Sequence, residues 1–211
     1  MLTQLRRQHA RSMARYAKWR IKPTEQESRA YNTTDRILLT FDDYGDAERI
    51  AALLKILKRH HIKAAFFLVG RWSNTHPELV ADIVNAGHWI GNHTYSHQNL
   101  VKLSEDDLKM EVQRGPKTYF VRPPYGIYNP KVRRLLTPFG YKLAYWTIDS
   151  KDWTGASAER ILERVIPELH PGACILMHIN APHTLEVLPE LIKQIRAKGY
   201  TFCREGTELA I

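Results

Sequence analysis

Long hydrophobic runs are missing from this 211-residue chain. No window approaches the roughly 18 consecutive apolar residues that a membrane-spanning helix needs, which excludes an integral helical membrane protein. Cysteine is scarce. Cys174 and Cys203 are too few for a disulfide scaffold and lack zinc-finger spacing. Glycine and proline, at 11 residues each, stay far below the level of a collagen-like or low-complexity chain. With 44% hydrophobic and 25% charged residues, the composition fits one ordinary globular domain.

Acid is absent from residues 1–22, which instead hold Arg6, Arg7, Arg11, Arg15, Lys18, Arg20 and Lys22. These account for +7 of the formal +9 net charge and leave residues 23–211 nearly neutral. Leu2, Leu5, Met13 and Tyr16 recur near helical spacing. The stretch is expected to be a solvated, partly helical extension or a basic arm that contacts an anionic surface. It is not a secretory signal, having no apolar core of about 7–15 residues after the charges. Without a signal or spanning segment, the chain is expected to be cytoplasmic unless a native leader is missing. Residues 23–34 read as a polar linker, so the expected division is an arm and linker at 1–34 and a catalytic domain at 35–211. A nucleic-acid enzyme is disfavoured, because the rest of the chain is expected to lack a second basic run.

From residue 35 onward, strands and helices alternate. Residues 37–41 and 64–69 read as buried strands, with the Ile50, Leu53, Leu54, Leu57 stripe placing a helix between them. Pro77 opens a helix that Gly87 stops. Residues 89–91 form a third strand, and Ser104 with Asp107 resembles a capping box for a short helix. Further strands are predicted at 119–121, 144–148, 173–178 and 200–203, and further helices at 130–137, 156–169 and 185–198. Alternation in units of this length predicts parallel βαβ construction.

Polar residues collect where these strands end, which is where α/β folds place their sites. Asp42 and Asp43 close the first strand; taken alone, such a pair suits a helix cap. His93 and His97 have a spacing that can put two imidazoles on one metal, but it also suits structural histidines. Arg122-Pro123-Pro124-Tyr125-Gly126 is a stiff loop. Asp149 to Trp153 is an acidic strand end followed by a large aromatic, and His178 ends an apolar strand.

In their order, these clusters resemble the five motifs of the polysaccharide deacetylases, carbohydrate esterase family four: TFDD (40–43), HTYSH (93–97), RPPYG (122–126), DSKDW (149–153) and LMH (176–178). The resemblance implies an α/β fold, a distorted (β/α) barrel with fewer than eight strands. It implies that Asp43, His93 and His97 bind a divalent metal, zinc first, with cobalt or another divalent ion as the alternative. It further implies Asp42 as general base paired with Arg122, the Tyr125 amide as oxyanion donor, and His178 as general acid hydrogen-bonded to Asp152. Trp153 and Leu176 would wall the acetyl pocket. The implied activity is removal of N-acetyl groups from N-acetylglucosamine-containing glycans such as peptidoglycan, chitin-type chains or poly-N-acetylglucosamine. An O-acetyl esterase on xylan and a catalytically silent module binding glycan or an anionic surface are the alternatives.

Three departures accompany the resemblance, the first being the expected lack of a secretion signal. Tyr44-Gly45 stands where the family usually has Gly-Pro, so Tyr44 either narrows the groove or stacks on a sugar ring, or else packs at the turn. The segment between His97 and Arg122 is shorter than usual, which predicts that the helix opened by Ser104 runs only to about Gln113.

Overall fold

A computed structural model describes residues 35–203. Residues 1–34, and with them the expected basic arm, lie outside the described residues, as do residues 204–211. Seven parallel strands form one sheet: β1 (Leu38–Asp43), β2 (Ala65–Leu68), β3 (Trp89–Asn92), β4 (Phe120–Val121), β5 (Lys142–Leu143), β6 (Ile148–Asp149) and β7 (Cys174–His178). Their order is β5-β4-β3-β2-β1-β7-β6. The sheet curls with its helices outside, giving the distorted (β/α) barrel.

Helices α1 (Ala47–Arg59), α2 (Gly70–Thr75), α3 (Pro77–Asn85), α4 (Glu105–Gln113), α5 (Pro130–Leu136), α6 (Ala158–Val165) and α7 (Thr184–Ala197) complete the fold. Asp46 caps α1 by accepting from the Arg49 amide at 2.8 Å. Ser104 caps α4 in the same way from Asp107 N at 3.1 Å, and α4 ends at Gln113 as its sequence predicts.

Strand alternation sorts the core into two layers. Leu39 and Phe41 of β1, with Phe66, Leu68, Ile175 and Met177, face the helices. Leu38, Ala65, Phe67 and Cys174 fill the barrel interior together with Cys203. Above this apolar floor the register stacks polar groups: Thr40 lies beside Leu176, and one step higher Asp42 lies beside His178. A buried apolar base with ionisable residues at the strand ends is therefore built directly into the period of two.

Some elements differ from expectation. The strand predicted at 144–148 does not form. Residues 142–143 pair with β4, residues 148–149 pair with β7, and residues 144–147 cross between the two edges of the sheet. The Tyr145 carbonyl is withdrawn from the ladder and accepts from Arg122 Nη2 at 3.1 Å, so the extended run breaks there. The 156–169 helix is shorter because Pro167 turns its end into a 3-10 helix at Ile166–Glu168. In place of a strand at 200–203 there is a single bridge between Ile37 and Phe202. Helix α2, with no apolar periodicity over its six residues, was not foreseen.

Candidate active site

Asp42 and Asp43 are consecutive, and in a regular strand their side chains would point to opposite faces. Asp43 avoids this by adopting φ 79°. Both carboxylates consequently reach the same place: Asp42 Oδ2 and Asp43 Oδ1 each lie 3.7 Å from His93 Nε2. Among the described residues, five other non-glycine residues have positive φ: Thr94, His97, Tyr125 and Lys151, all in the strand-end loops carrying the motifs, and His61 at the other end of the barrel. Left-handed backbone at non-glycine residues costs of order 1–3 kcal/mol each and persists only where surroundings enforce it.

Asp43, His93 and His97 present one oxygen and two nitrogens within 4.8 Å of one another. His97 Nε2 lies 3.4 Å from Asp43 Oδ1. Tetrahedral zinc with bonds of about 2.0–2.1 Å requires ligand atoms about 3.4 Å apart, so the spacing suits it. His93 Nδ1 donates to the Arg122 carbonyl at 2.7 Å, which turns Nε2 with its lone pair toward Asp43. Burial, with the neighbouring His97, holds the His93 pKa well below its ordinary value and keeps the ring in its neutral, ligating form. The donor set thus fits a divalent cation and leaves room for further ligands.

Asp42 is almost fully buried. Burial pushes its pKa up to about 6, and the Arg122 charge opposes that rise. Arg122 Nη1 donates to Asp42 Oδ1 at 2.6 Å and to Thr40 Oγ1 at 2.9 Å. Its guanidinium rests 3.9 Å from the Phe67 ring centroid, inside the barrel. This arginine is a structural pillar as well as a partner of Asp42.

On the other side, His178 Nδ1 donates to Asp152 Oδ1 at 2.8 Å. Asp152 Oδ2 accepts from the His178 amide and from Thr184 Oγ1, each at 2.7 Å. Burial alone would lower the His178 pKa, but the Asp152 hydrogen bond and charge, with Asp43 and Asp42 behind them, raise it to about 9. The Asp152 pKa is lowered: burial works against this, and the bonds from His178 and Thr184 prevail. At neutral pH the site therefore holds a carboxylate at Asp42 and an imidazolium at His178.

The remaining expected residues also gather here. Tyr125 stacks edge-on to His97 at 4.7 Å, and its hydroxyl donates to the His97 carbonyl at 3.4 Å. Leu176 is buried beside Thr40, and Trp153 is half-buried with Lys151 Nζ 5.2 Å from its ring centroid. Tyr44 directly follows the Asp pair and is 46% exposed.

Sequence reasoning missed the supports. Asn92 Oδ1 accepts from Thr94 N at 2.7 Å while its Nδ2 donates to the carbonyls of Val112 and Pro116. Glu111 accepts from Ser96 Oγ at 2.7 Å and from Ser96 N at 2.9 Å, between the two histidines. An Asn at a strand end is a turn signal that was available in the sequence. A buried acid on a helix has no such signature.

The polysaccharide deacetylase family matches residues 30–144. The chain belongs to this family. A peptidoglycan-N-acetylglucosamine deacetylase of Bacillus cereus is 36% identical over 82% of this chain and 67% of its own length. A solved peptidoglycan N-acetylglucosamine deacetylase superposes with TM-score 0.78 at 32% identity, covering 86% of this chain and 94% of the other. A pseudoenzyme of the same esterase family from Bacillus anthracis superposes with TM-score 0.76 at 32% identity, covering 84% of this chain and 66% of the other. Membership therefore supports a carbohydrate deacetylase, while activity has to be argued from the residues present. Among the described residues, no helix is long and apolar enough to cross a membrane.

Proposed function

We propose that residues 35–211 form a metal-dependent deacetylase that removes N-acetyl groups from N-acetylglucosamine-containing glycan of the peptidoglycan type. Zinc is the proposed ion, cobalt the next, held by Asp43, His93 and His97. One observation carries the reading: Asp42, hydrogen-bonded to Arg122, lies beside that triad, and His178, hydrogen-bonded to Asp152, stands opposite Asp42 on the adjacent strand. The similar deacetylases supply the substrate class.

A bound cation would supply a polarised acetyl carbonyl and a more acidic water. Asp42 accepts the proton of the attacking water, with Arg122 keeping it charged and aimed. The Tyr125 N–H donates to the oxygen that gains charge at the tetrahedral carbon. His178 delivers its proton from Nε2 to the amide nitrogen as the C–N bond breaks, releasing acetate and the free amine. Asp152 fixes the ring through Nδ1 and keeps that proton available. Trp153 and Leu176 border the methyl group, and Tyr44 offers an aromatic face to a sugar ring at the rim.

Acetate release from N-acetylglucosamine oligomers and peptidoglycan fragments, with and without chelator, tests this reading against acetyl-xylan. Chelator-sensitive release from the amide substrates supports it. Preference for acetyl-xylan would replace it with an O-acetyl esterase. No release from any of them would favour a silent glycan-binding module, the reading that the pseudoenzyme neighbour keeps in play.

A further inference from the structure

The face opposite the site, where the strands begin, collects positive charge from two parts of the chain. Lys55, Lys58, Arg59 and His61 are exposed at the end of α1, and Lys63 is half-buried just before β2. No acid occurs between Glu48 and Glu78, an interval holding six lysines and arginines. The end of α7 adds Arg196, whose Nη2 donates to the His60 carbonyl at 2.6 Å, and then Lys198. Burial together with Arg196, Arg59 and His61 lowers the His60 pKa, as expected in a positive field. The barrel thus carries a second basic run, against the expectation drawn from its nearly neutral total.

Lys58 and Arg59 also complement the dipole at the end of α1, which accounts for two cations but not for the gathering. The start of β1 abuts the same place. Lys63 N donates to the Cys203 carbonyl, Cys203 N to the Ile37 carbonyl, and Ile37 N to the Thr201 carbonyl. The seven basic residues of 1–22 precede that point in the chain. Between the ends of α1 and α3 lies a cavity of about 670 Å³, in which Leu54, Leu57 and Ile62 are interleaved with Lys55, Lys58 and Lys63. Its lining contains no Phe, Tyr or Trp. Single-stranded nucleic acid favours aromatic stacking platforms. Clustered cations without aromatic platforms match the phosphate headgroups of an anionic bilayer surface instead.

We propose that this face docks on an anionic phospholipid bilayer and leaves the strand-end site directed away from the membrane. Each basic residue near such a surface contributes about a fivefold change in partitioning, and salt screens it. The full chain should sediment with phosphatidylcholine vesicles that contain phosphatidylglycerol, not with phosphatidylcholine alone, and high salt should release it. The variant Lys55→Gln/Lys58→Gln/Arg59→Gln, checked for an unchanged melting temperature, should bind on the order of a hundredfold more weakly. An environment-sensitive label on Asn85→Cys, beside the cavity, should blue-shift on vesicles, whereas one on Thr154→Cys, at the strand ends, should not. The proposal is overturned by absence of vesicle binding, by binding that the triple variant leaves intact, or by capture of RNA or polyphosphate but not vesicles. A blue shift at Thr154→Cys instead of Asn85→Cys would overturn the orientation.

Discussion

Asp42 and His178 face one another across adjacent strands, yet their surroundings push them to opposite charge states. Asp42 loses water on all sides and keeps one guanidinium, so its pKa rises to about 6 and no further. His178 keeps a proton to about 9 because Asp152 is beside it. If they act as base and acid, the rate should rise with pH as Asp42 ionises and fall as His178 deprotonates. The acid limb should lie at or below about 6, because a cation beside Asp42 favours its carboxylate. Replacing Asp152 by Asn removes the charge that stabilises imidazolium, so the alkaline limb should move toward lower pH in a pH–rate profile. An unmoved limb would remove His178 from the role of acid. The His178–Asp152 pair also stabilises the fold. With the folded pKa raised from 6.5 to about 9, its contribution is full below about 6.5 and is lost as pH rises through about 9. Asp42→Asn should retain zinc but lose about 10²–10⁴-fold in turnover, checked by metal analysis beside acetate release.

At the scale of elements, α4 is the part whose brevity the sequence revealed and whose use it did not. The helix ends at Gln113, and that ending lets Gly115 approach β3. A Cβ at Gly115 would lie 2.2 Å from Asn92 Oδ1. The contact matters because Asn92 ties the end of α4 to the loop bearing the two histidines. Gly115→Ala should therefore destabilise by about 1–3 kcal/mol, measurable by urea unfolding. Glu111 acts from the same helix through Ser96. Glu111→Gln keeps the shape but weakens acceptance from the Ser96 amide and hydroxyl, so zinc affinity should fall about 10–100-fold in a competition titration. Unchanged affinity would make Glu111 a packing residue only. The turn at Asn92 was legible in sequence order, but its bonds to the end of α4 and the whole of the Glu111 support were not, because those contacts join separate elements.

For the whole molecule, the critical feature is the seam. Residues 142–149 pair with β4 at one end and with β7 at the other, so a single segment joins the two edges of the sheet. Arg122 reaches this seam at the Tyr145 carbonyl while also holding Asp42, which couples closure of the barrel to the site. Metal at Asp43, His93 and His97 would bind β1 to the loop after β3 and stabilise the folded state alone. Zinc at about a hundred times its dissociation constant should then raise the melting temperature by roughly 5–10 °C, and His97→Ala should abolish the rise. No shift in the wild-type chain would count against the metal site.

The net charge of +9 and its concentration in residues 1–22 are properties of the sequence alone. So are the βαβ alternation, the cap at Ser104, and the five polar clusters at strand ends, because spacing and side-chain chemistry are local and read in order. The seam at 144–147, the turn of Asp43 to φ 79°, the supports from Asn92, Glu111 and Thr184, and the basic face at the strand starts were decided by tertiary structure. Each depends on which distant groups share a volume, and hydrogen bonding and burial act through space, not along the chain.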